Sequence, residues 1–288
     1  MTPPDDLVLR RLATVEELRA CEDLQMEVWS YTEREVVPKN ELLAAVRSGG
    51  SLIGAYDAAT LVAFAYGMAG WDGHAPYLSS RLVAVREAFR GHGLGERLKA
   101  AQREHCLELG YPKIKWTQDA LQAANARLNF RKLGATCRSY VVDYYGTTSS
   151  PLHGSLPTDR LELDWDLHSD RVKRRLGLEK GVDPAAVVAG HEGVHALLDG
   201  SLDSPPRPVA GDPPPAGAMR LSVAVPPSLA ACLAHDKALG LAWRLATRES
   251  FERAFREGYQ IVDFVSSRPG EPNAFARYIL ARVPEPSA

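Results

Sequence analysis

Apolar positions recur along the chain with two periods, and the switching between them sets out a run of strands and helices. Residues 7–12 read as a first strand. Behind it Thr14 stands where a helix N-cap belongs, and Glu17, three residues on, completes a capping box. Leu18, Cys21, Leu24 and Val28 then return at helical spacing as far as Trp29. A second helix fits residues 40–47 and is closed by Ser48-Gly49-Gly50. Two strand-like runs, 51–56 and 60–68, flank the turn residues Asp57-Ala58-Ala59. Residues 70–76 read as a loop and 77–85 as another strand. Out of the turn Arg90-Gly91-His92-Gly93-Leu94-Gly95 comes a helix with Leu94, Leu98 and Ala101 on one face, and Gly110 ends it. Residues 113–117 predict a short strand, and 121–133 a helix stopped by Gly134. Residues 137–145 predict an alternating strand with Tyr140, Val142 and Tyr144 on one side. The order β-α-α-β-β-β-α-β-α-β makes a complete α/β domain of residues 1–148.

Residues 149–288 are less periodic. Residues 159–167 alternate like a strand and 170–178 form a short basic helix. Residues 201–217 are dense in Pro and Gly and read as a linker or long loop. A strand at 220–225 follows, then helices across 228–245 and 248–257 with Gly258 as the stop, then strands at 259–265 and 275–283. This predicts a smaller C-terminal α/β unit, with no sharp internal repeat.

Composition changes the picture little. With 288 residues, 45% hydrophobic and 24% charged, the chain is sized for one or two domains, and a disordered or collagen-like reading is excluded. A net charge of −2 gives no electrostatic reason to expect a nucleic acid or a membrane as partner. The four cysteines, Cys21, Cys106, Cys137 and Cys232, stand singly and read as reduced, mostly buried thiols. The first twelve residues carry early acids and no apolar h-region, so no signal peptide is expected. The longest largely apolar stretch, 61–71, is too short to span a bilayer. A cytoplasmic protein is the expectation.

The candidate chemistry lies in the glycine turn. A helix N-terminus presents unpaired N–H groups and the positive end of its dipole, so it suits a phosphate. Gly93 and Gly95 let backbone come close to an anion, and Arg90 adds charge. The plain alternative is a turn that packs a helix on a sheet. There is no Gly-Lys-Ser/Thr ending, which sets aside a Walker loop. Four strands precede the turn, which sets aside a Rossmann fingerprint.

With these residues in view, the sequence resembles the GNAT superfamily of acyltransferases. The family's central pattern, Arg/Gln-x-x-Gly-x-Gly/Ala after a strand, is matched by Arg90, Gly93 and Gly95. A later helix in the family ends Ala-x-x-x-Tyr-x-Lys-x-Gly-Phe, and residues 126–135 here read Ala-Arg-Leu-Asn-Phe-Arg-Lys-Leu-Gly-Ala. The resemblance covers residues 7–146. It implies a mixed, mostly antiparallel central sheet with helices on both faces. It implies a CoA-dependent N-acyltransferase that uses acetyl-CoA or another acyl-CoA as co-substrate and a small-molecule amine as acceptor. Backbone groups of Gly91, His92, Gly93, Leu94, Gly95 and Glu96, with Arg90, would hold the pyrophosphate. Val83 and Val85 would bind the pantetheine arm. The family's tyrosine, a common proton donor to the thiolate, is Phe130 here, which puts a tyrosine acid in doubt and leaves only a cofactor-lining role. Arg81 could pair with a carboxylate on the substrate or acyl group, and Asp119 could accept the amine proton. The plain alternatives are a surface arginine and a helix N-cap. Leu156-Pro157-Thr158-Asp159-Arg160, Trp165 and Arg171-Val172 resemble the long extension of one bacterial subgroup, some of whose members are N-succinyltransferases acting on amino acids. Residues 149–288 could cover the acceptor site, add a homodimer surface or be a degenerate copy of the first half.

One competing pattern is present. His191-Glu192-Gly193-Val194-His195 matches H-E-x-x-H, which on a helix puts two imidazoles on one face with a glutamate base. Gly190 and Gly193 weaken a helix there by roughly 1 kcal/mol each, and no later histidine sits at a familiar spacing. No metal is expected. A zinc metallohydrolase and a CoA-binding protein without turnover are the alternatives to acyl transfer.

Overall fold

The computed structural model describes residues 6–146, 156–178, 193–266 and 275–282. The chain divides into two compact units, the first of residues 1–116 with 165–173 and the second of 117–164 with 174–288. The division falls between Trp116 and Thr117.

The first unit starts with β1 (Val8–Arg11), α1 (Val15–Trp29) and α2 (Lys39–Arg47). The capping box that opens α1 is formed: Glu17 N donates to Thr14 Oγ1 at 3.3 Å and Thr14 N to Glu17 Oε2 at 2.9 Å. Three long strands follow, β2 (Ser51–Asp57), β3 (Thr60–Trp71) and β4 (Pro76–Val85). Strands β1 to β4 pair antiparallel in sequence order, and β5 (Lys113–Gln118) lies parallel to β4. The expected sheet, mixed and mostly antiparallel, is borne out. Strand β2 and the stretch of β3 from Leu61 to Gly67 are buried almost throughout, because helices cover both faces. Leu52, Phe64, Tyr66 and Ala84 pack with Leu18, Leu24 and Leu42 of α1 and α2. Ile53, Ala55, Ala63 and Ala65 take the opposite face and pack with Leu94 and Leu98 of α3 (Leu94–Glu108). One sheet thus separates two apolar clusters, as the two-residue period of a strand requires.

The second unit holds α4 (Ala123–Ala126), which runs on as a wider π-helical turn over Arg127–Lys132. It also holds β6 (Thr136–Val141), most of β7 (Arg160–Asp166), β8 (His195–Gly200), β9 (Pro208–Ala210), β10 (Arg220–Val225), β11 (Tyr259–Val265) and β12 (Ala276–Arg282). The strand order is β7-β6-β11-β12-β10-β8-β9, antiparallel at each step except β10–β8. Helices α5 (Asp170–Arg175), α6 (Leu229–His235) and α7 (Lys237–Arg256) complete the chain. Trp243 and Phe251 of α7 are fully buried, and Phe251 stands edge-on to Tyr278 of β12 at 5.2 Å.

Three local expectations are corrected. The strand expected over 137–145 stops at Val141, because Asp143 turns the chain at φ 50° and Thr158 holds it there, donating from N and Oγ1 to Asp143 Oδ1 at 3.1 Å each. The helix break in the C-terminal part falls at Asp236, whose extended backbone and carboxylate cap α7 through Ala238 N at 2.8 Å. The H-E-x-x-H pattern, which needs a helix to bring its histidines together, ends in a strand: His195 begins β8.

Candidate functional site

The ladder between β4 and β5 contains two residue pairs, Leu78 with Ile114 and Ser79 with Lys115. Beyond them β4 follows β3 alone. Its register shifts at this point: Gly67 faces Ser80 while Tyr66 faces Leu82, so Arg81 is an extra residue bulged out of the pairing. A bulge bends its strand and sharpens the twist. Here it coincides with the end of the β4–β5 ladder, and the two strands part as a fork whose first unpaired residues are Ser80 and Trp116. Past the last pair, Leu82–Val85 have no ladder partner on β5 among the described residues, an arrangement that suits an extended, amide-bearing ligand arm.

Past Val85 the chain makes a single turn at Glu87–Phe89 and enters the glycine loop. Arg90 Nε donates to Val85 O at 3.0 Å, which ties the loop back to the end of β4. Gly91 and Gly93 have φ of 81° and 80°, a region costly for other residues. A Cβ at either would meet nothing within 4 Å, so backbone conformation and not crowding demands glycine, and the space beside both is open. Gly93 is the N-cap of α3 and offers no side-chain acceptor. Its carbonyl accepts from Arg97 N at 3.1 Å, the bond that opens the helix ladder. Gly91, His92 and Arg90 are exposed, Gly95 and Glu96 half-buried, and Leu94 is buried in the α3 core. The loop therefore has open space and backbone freedom directly ahead of the α3 N-terminus.

The other expected residues are placed differently. Arg81 is exposed at the bulge and forms no hydrogen bond or ion pair among the described residues. Asp119, in the second unit, is engaged on both oxygens: Arg244 donates to Oδ1 at 2.8 Å and to Oδ2 at 2.7 Å, and Leu121 N donates to Oδ1 at 2.9 Å. That geometry is a buried structural ion pair and a turn cap, not a free proton acceptor. Phe130, also in the second unit, is 0% exposed and stands edge-on to Tyr278 at 5.6 Å. Its surroundings there are core, with no open face to line a ligand. Among the described residues His195 meets no second histidine, and its Nε2 lies 2.8 Å from Asp212 O. His191 and Glu192 lie outside the described residues. Among the described residues no three metal-ligating side chains gather, and no helix is long and apolar enough to cross a membrane.

Sequence reasoning missed two groups beside the fork. Tyr66 of β3 is 2% exposed, and its hydroxyl has no hydrogen-bond partner among the described residues; burial pushes the phenol up from its usual range. Lys99 of α3 is buried beneath Ser80 and Trp116. Its signal was in the helix pattern: Lys99, Gln102, Arg103 and Cys106 share the buried face with Leu94 and Leu98, so polar residues occupy positions a core helix gives to apolar ones.

Residues 14–135 match the model of the acetyltransferase (GNAT) family. Among solved structures, the ribosomal-protein-S18-alanine N-acetyltransferase of Escherichia coli is 16% identical, over 57% of this chain and 95% of its own, with a TM-score of 0.46. The protein yncA from Salmonella typhimurium, solved with its cofactor acetyl-CoA, is 18% identical, over 57% and 95% of the two chains, at 0.46. An acetyltransferase of the GNAT family from Streptococcus pneumoniae is 12% identical, over 55% and 98%, at 0.44. No curated protein matches the chain.

Proposed function

We propose that residues 14–135, as a segment of the acetyltransferase (GNAT) family, bind an acyl-CoA at the fork and transfer its acyl group to a primary amine. The observation that carries this reading is the glycine turn at the end of a diverging strand: Gly91 and Gly93 hold positive φ with open space beside them, directly ahead of the α3 N-terminus. In this reading the backbone from Gly91 to Glu96, with Arg90, receives the pyrophosphate. The backbone at Val83 and Val85, which has no β5 partner, receives the pantetheine arm, and one of its N–H groups polarises the thioester carbonyl. The bound co-substrate supplies an activated acyl group with a thiolate leaving group. The chain itself has to orient the thioester, remove a proton from the incoming amine and accommodate the departing sulfur.

The acyl group, on this proposal, is acetyl or succinyl, and the acceptor is a small molecule such as an amino acid. Arg81 supports that choice. It stands unpaired where the bulge opens the fork, and a guanidinium can grip a carboxylate with two hydrogen bonds. Titration calorimetry with CoA, acetyl-CoA and succinyl-CoA tests the reading. Micromolar binding of one of them supports it, and absence of binding to all three defeats it. Phe130 favours one second reading, a protein that binds CoA without turnover, because no phenol stands at that position. Thiol release in a screen of primary amines separates the two.

A further inference from the structure

The pyrophosphate seat and Arg81 leave one chemically loaded cluster of the first unit unused. Lys99 is 3% exposed. Its Nζ donates to Ser80 Oγ at 3.0 Å and to Gln102 Oε1 at 2.9 Å, and it lies 4.1 Å from the ring centroid of Trp116 and 5.5 Å from that of Trp165. Ser80 Oγ donates in turn to Gln102 Oε1 at 3.1 Å. The elements around the amine bring no carboxylate within ion-pair distance among the described residues: β4 presents Ser80, β5 Trp116 and the 165–173 segment Trp165. On its own helix the neighbouring titratable groups are Cys106, whose thiol burial pushes up to about 12, and Arg103, which turns away to donate to Leu167 O at 2.6 Å.

An ammonium buried without a counter-ion is disfavoured against the free amine. Burial brings Lys99 down to about 7, with only a weak opposing pull from Cys106. Near neutrality the group therefore holds a lone pair for much of the time. Its neighbours serve both states. With Lys99 charged, two of its protons meet oxygens and the remaining one faces the Trp116 ring, while Gln102 Nε2 is buried with no partner. With Lys99 neutral, the Ser80 hydroxyl can rotate from Gln102 to the amine lone pair. Ser80 is also the first residue of β4 past the last β4–β5 pair, at the closed end of the fork.

We propose that Lys99 is the proton store for the acyl-transfer reaction and that the Ser80 hydroxyl is the group through which it takes a proton from the acceptor amine. This rests on the acyl-transfer reading above. In the step, an N–H bond of the acceptor ammonium breaks and its proton passes to Ser80 Oγ, while the Ser80 proton passes to Lys99 Nζ. The freed amine forms a C–N bond with the thioester carbonyl carbon and the C–S bond breaks. The thiolate takes the second proton lost by nitrogen, and Lys99 returns its own to solvent. Asp119, bound to Arg244, and Phe130, with no proton to exchange, take no part.

The test uses the full chain and two readouts. The ¹³Cε resonance of Lys99, assigned by its loss in Lys99→Met, should titrate near neutrality. The kcat/KM for acetyl-CoA with the fastest amine of a free amino-acid panel should fall below an ionisation near the same pH. Lys99→Met should lower kcat by about 100-fold or more and abolish that ionisation, with the KM for acetyl-CoA unchanged. Ser80→Ala should lower kcat comparably while the Lys99 resonance still titrates, and Ser80→Thr, which keeps a hydroxyl, should restore activity. A Lys99 that titrates above pH 10, or a folded Lys99→Met variant within about threefold of wild type with the same profile, overturns the proposal. Failure of the unaltered protein to bind acetyl-CoA overturns the acyl-transfer reading, and the relay with it. Binding and turnover with no dependence on Lys99 overturn the relay alone.

Discussion

Substitution of Gly93 separates a phosphate seat from a packing turn. A Cβ at this position has open space, so Gly93→Ala brings no clash and costs only the positive φ, ~1–2 kcal/mol. That should lower Tm by a few degrees, ~2–6 °C for a chain of this size. Gly93→Asp carries the same backbone cost, reduced because Asp tolerates this region better than most residues. It regains ~0.3–1 kcal/mol from a negative charge at the helix N-terminus. Its folded stability should therefore stay within ~1 kcal/mol of wild type. Binding is another matter. A carboxylate ~5 Å from a diphosphate with two negative charges, at an effective dielectric of ~40, is repelled by ~3 kcal/mol, a loss of ~100-fold in affinity. Calorimetry with CoA in low salt, on Gly93→Asp and the near-isosteric neutral Gly93→Asn, reads the difference directly. The reasoning is refuted by an Asp variant that binds CoA as tightly as wild type. It is equally refuted if Asn and Asp lose affinity alike, since shape and not charge would then set the loss.

Three further outcomes follow from charged groups that the fold holds in place. Asp119→Ala leaves Arg244, 2% exposed, without its carboxylate, and should cost ~3–5 kcal/mol in denaturant unfolding; a large loss of kcat at unchanged stability would instead restore Asp119 to the chemistry. Lys99 binds its proton more weakly folded, at about 7, than in the unfolded chain, so wild-type stability should rise as pH climbs from about 7 to about 10. Lys99→Met should remove that rise and stabilise the protein most at pH 7 and below, by a few kcal/mol at ~1.4 kcal/mol per pH unit; identical pH–stability curves for the two proteins would contradict a titrating buried amine. Burial raises the Glu17 carboxyl, but the N–H groups of Thr14 and Ala13 and the Arg10 guanidinium outweigh it and hold the group at about 2. Its contribution is complete above the ordinary carboxylate range and is lost as pH falls towards 2, so Glu17→Gln should flatten the acid limb of a thermal-unfolding series.

Most of the first unit was legible because its signals are local. Thr14 and Glu17 cap α1 as their spacing predicts, and the helix of Leu94 and Leu98 starts at the glycine turn and ends before Gly110. The fork was not legible. It depends on where a ladder stops, and nothing in Ser79-Ser80-Arg81 announces a bulge, which is a property of pairing with Gly67 across the sheet. Asp119 illustrates the limit of reading a carboxylate by its place after a strand: its partner Arg244 lies 125 positions away. Lys99 was missed for the opposite reason. A lysine on a helix is read as solvated by default, and only the company of Gln102, Arg103 and Cys106 on the same stripe marks it as interior. His195 could not be placed from its pattern alone, because a short pattern fits strand and helix alike until its neighbours are paired, and β8 pairs with β10.

The division at Trp116 has a consequence for how the molecule is made. The chain leaves the first unit after Trp116 and re-enters it only for residues 165–173. That late piece carries Trp165, whose ring stands edge-on to Trp116 at 5.9 Å, and Leu167, whose backbone bonds to Pro112 and Arg103. During synthesis the ribosome must therefore add 57 more residues after Trp116, roughly 3–11 s of elongation, before Lys173 is added. Until that stretch has been read, one of the two indoles that stand over the Lys99 amine, the Trp165 ring at 5.5 Å, is missing from the unit.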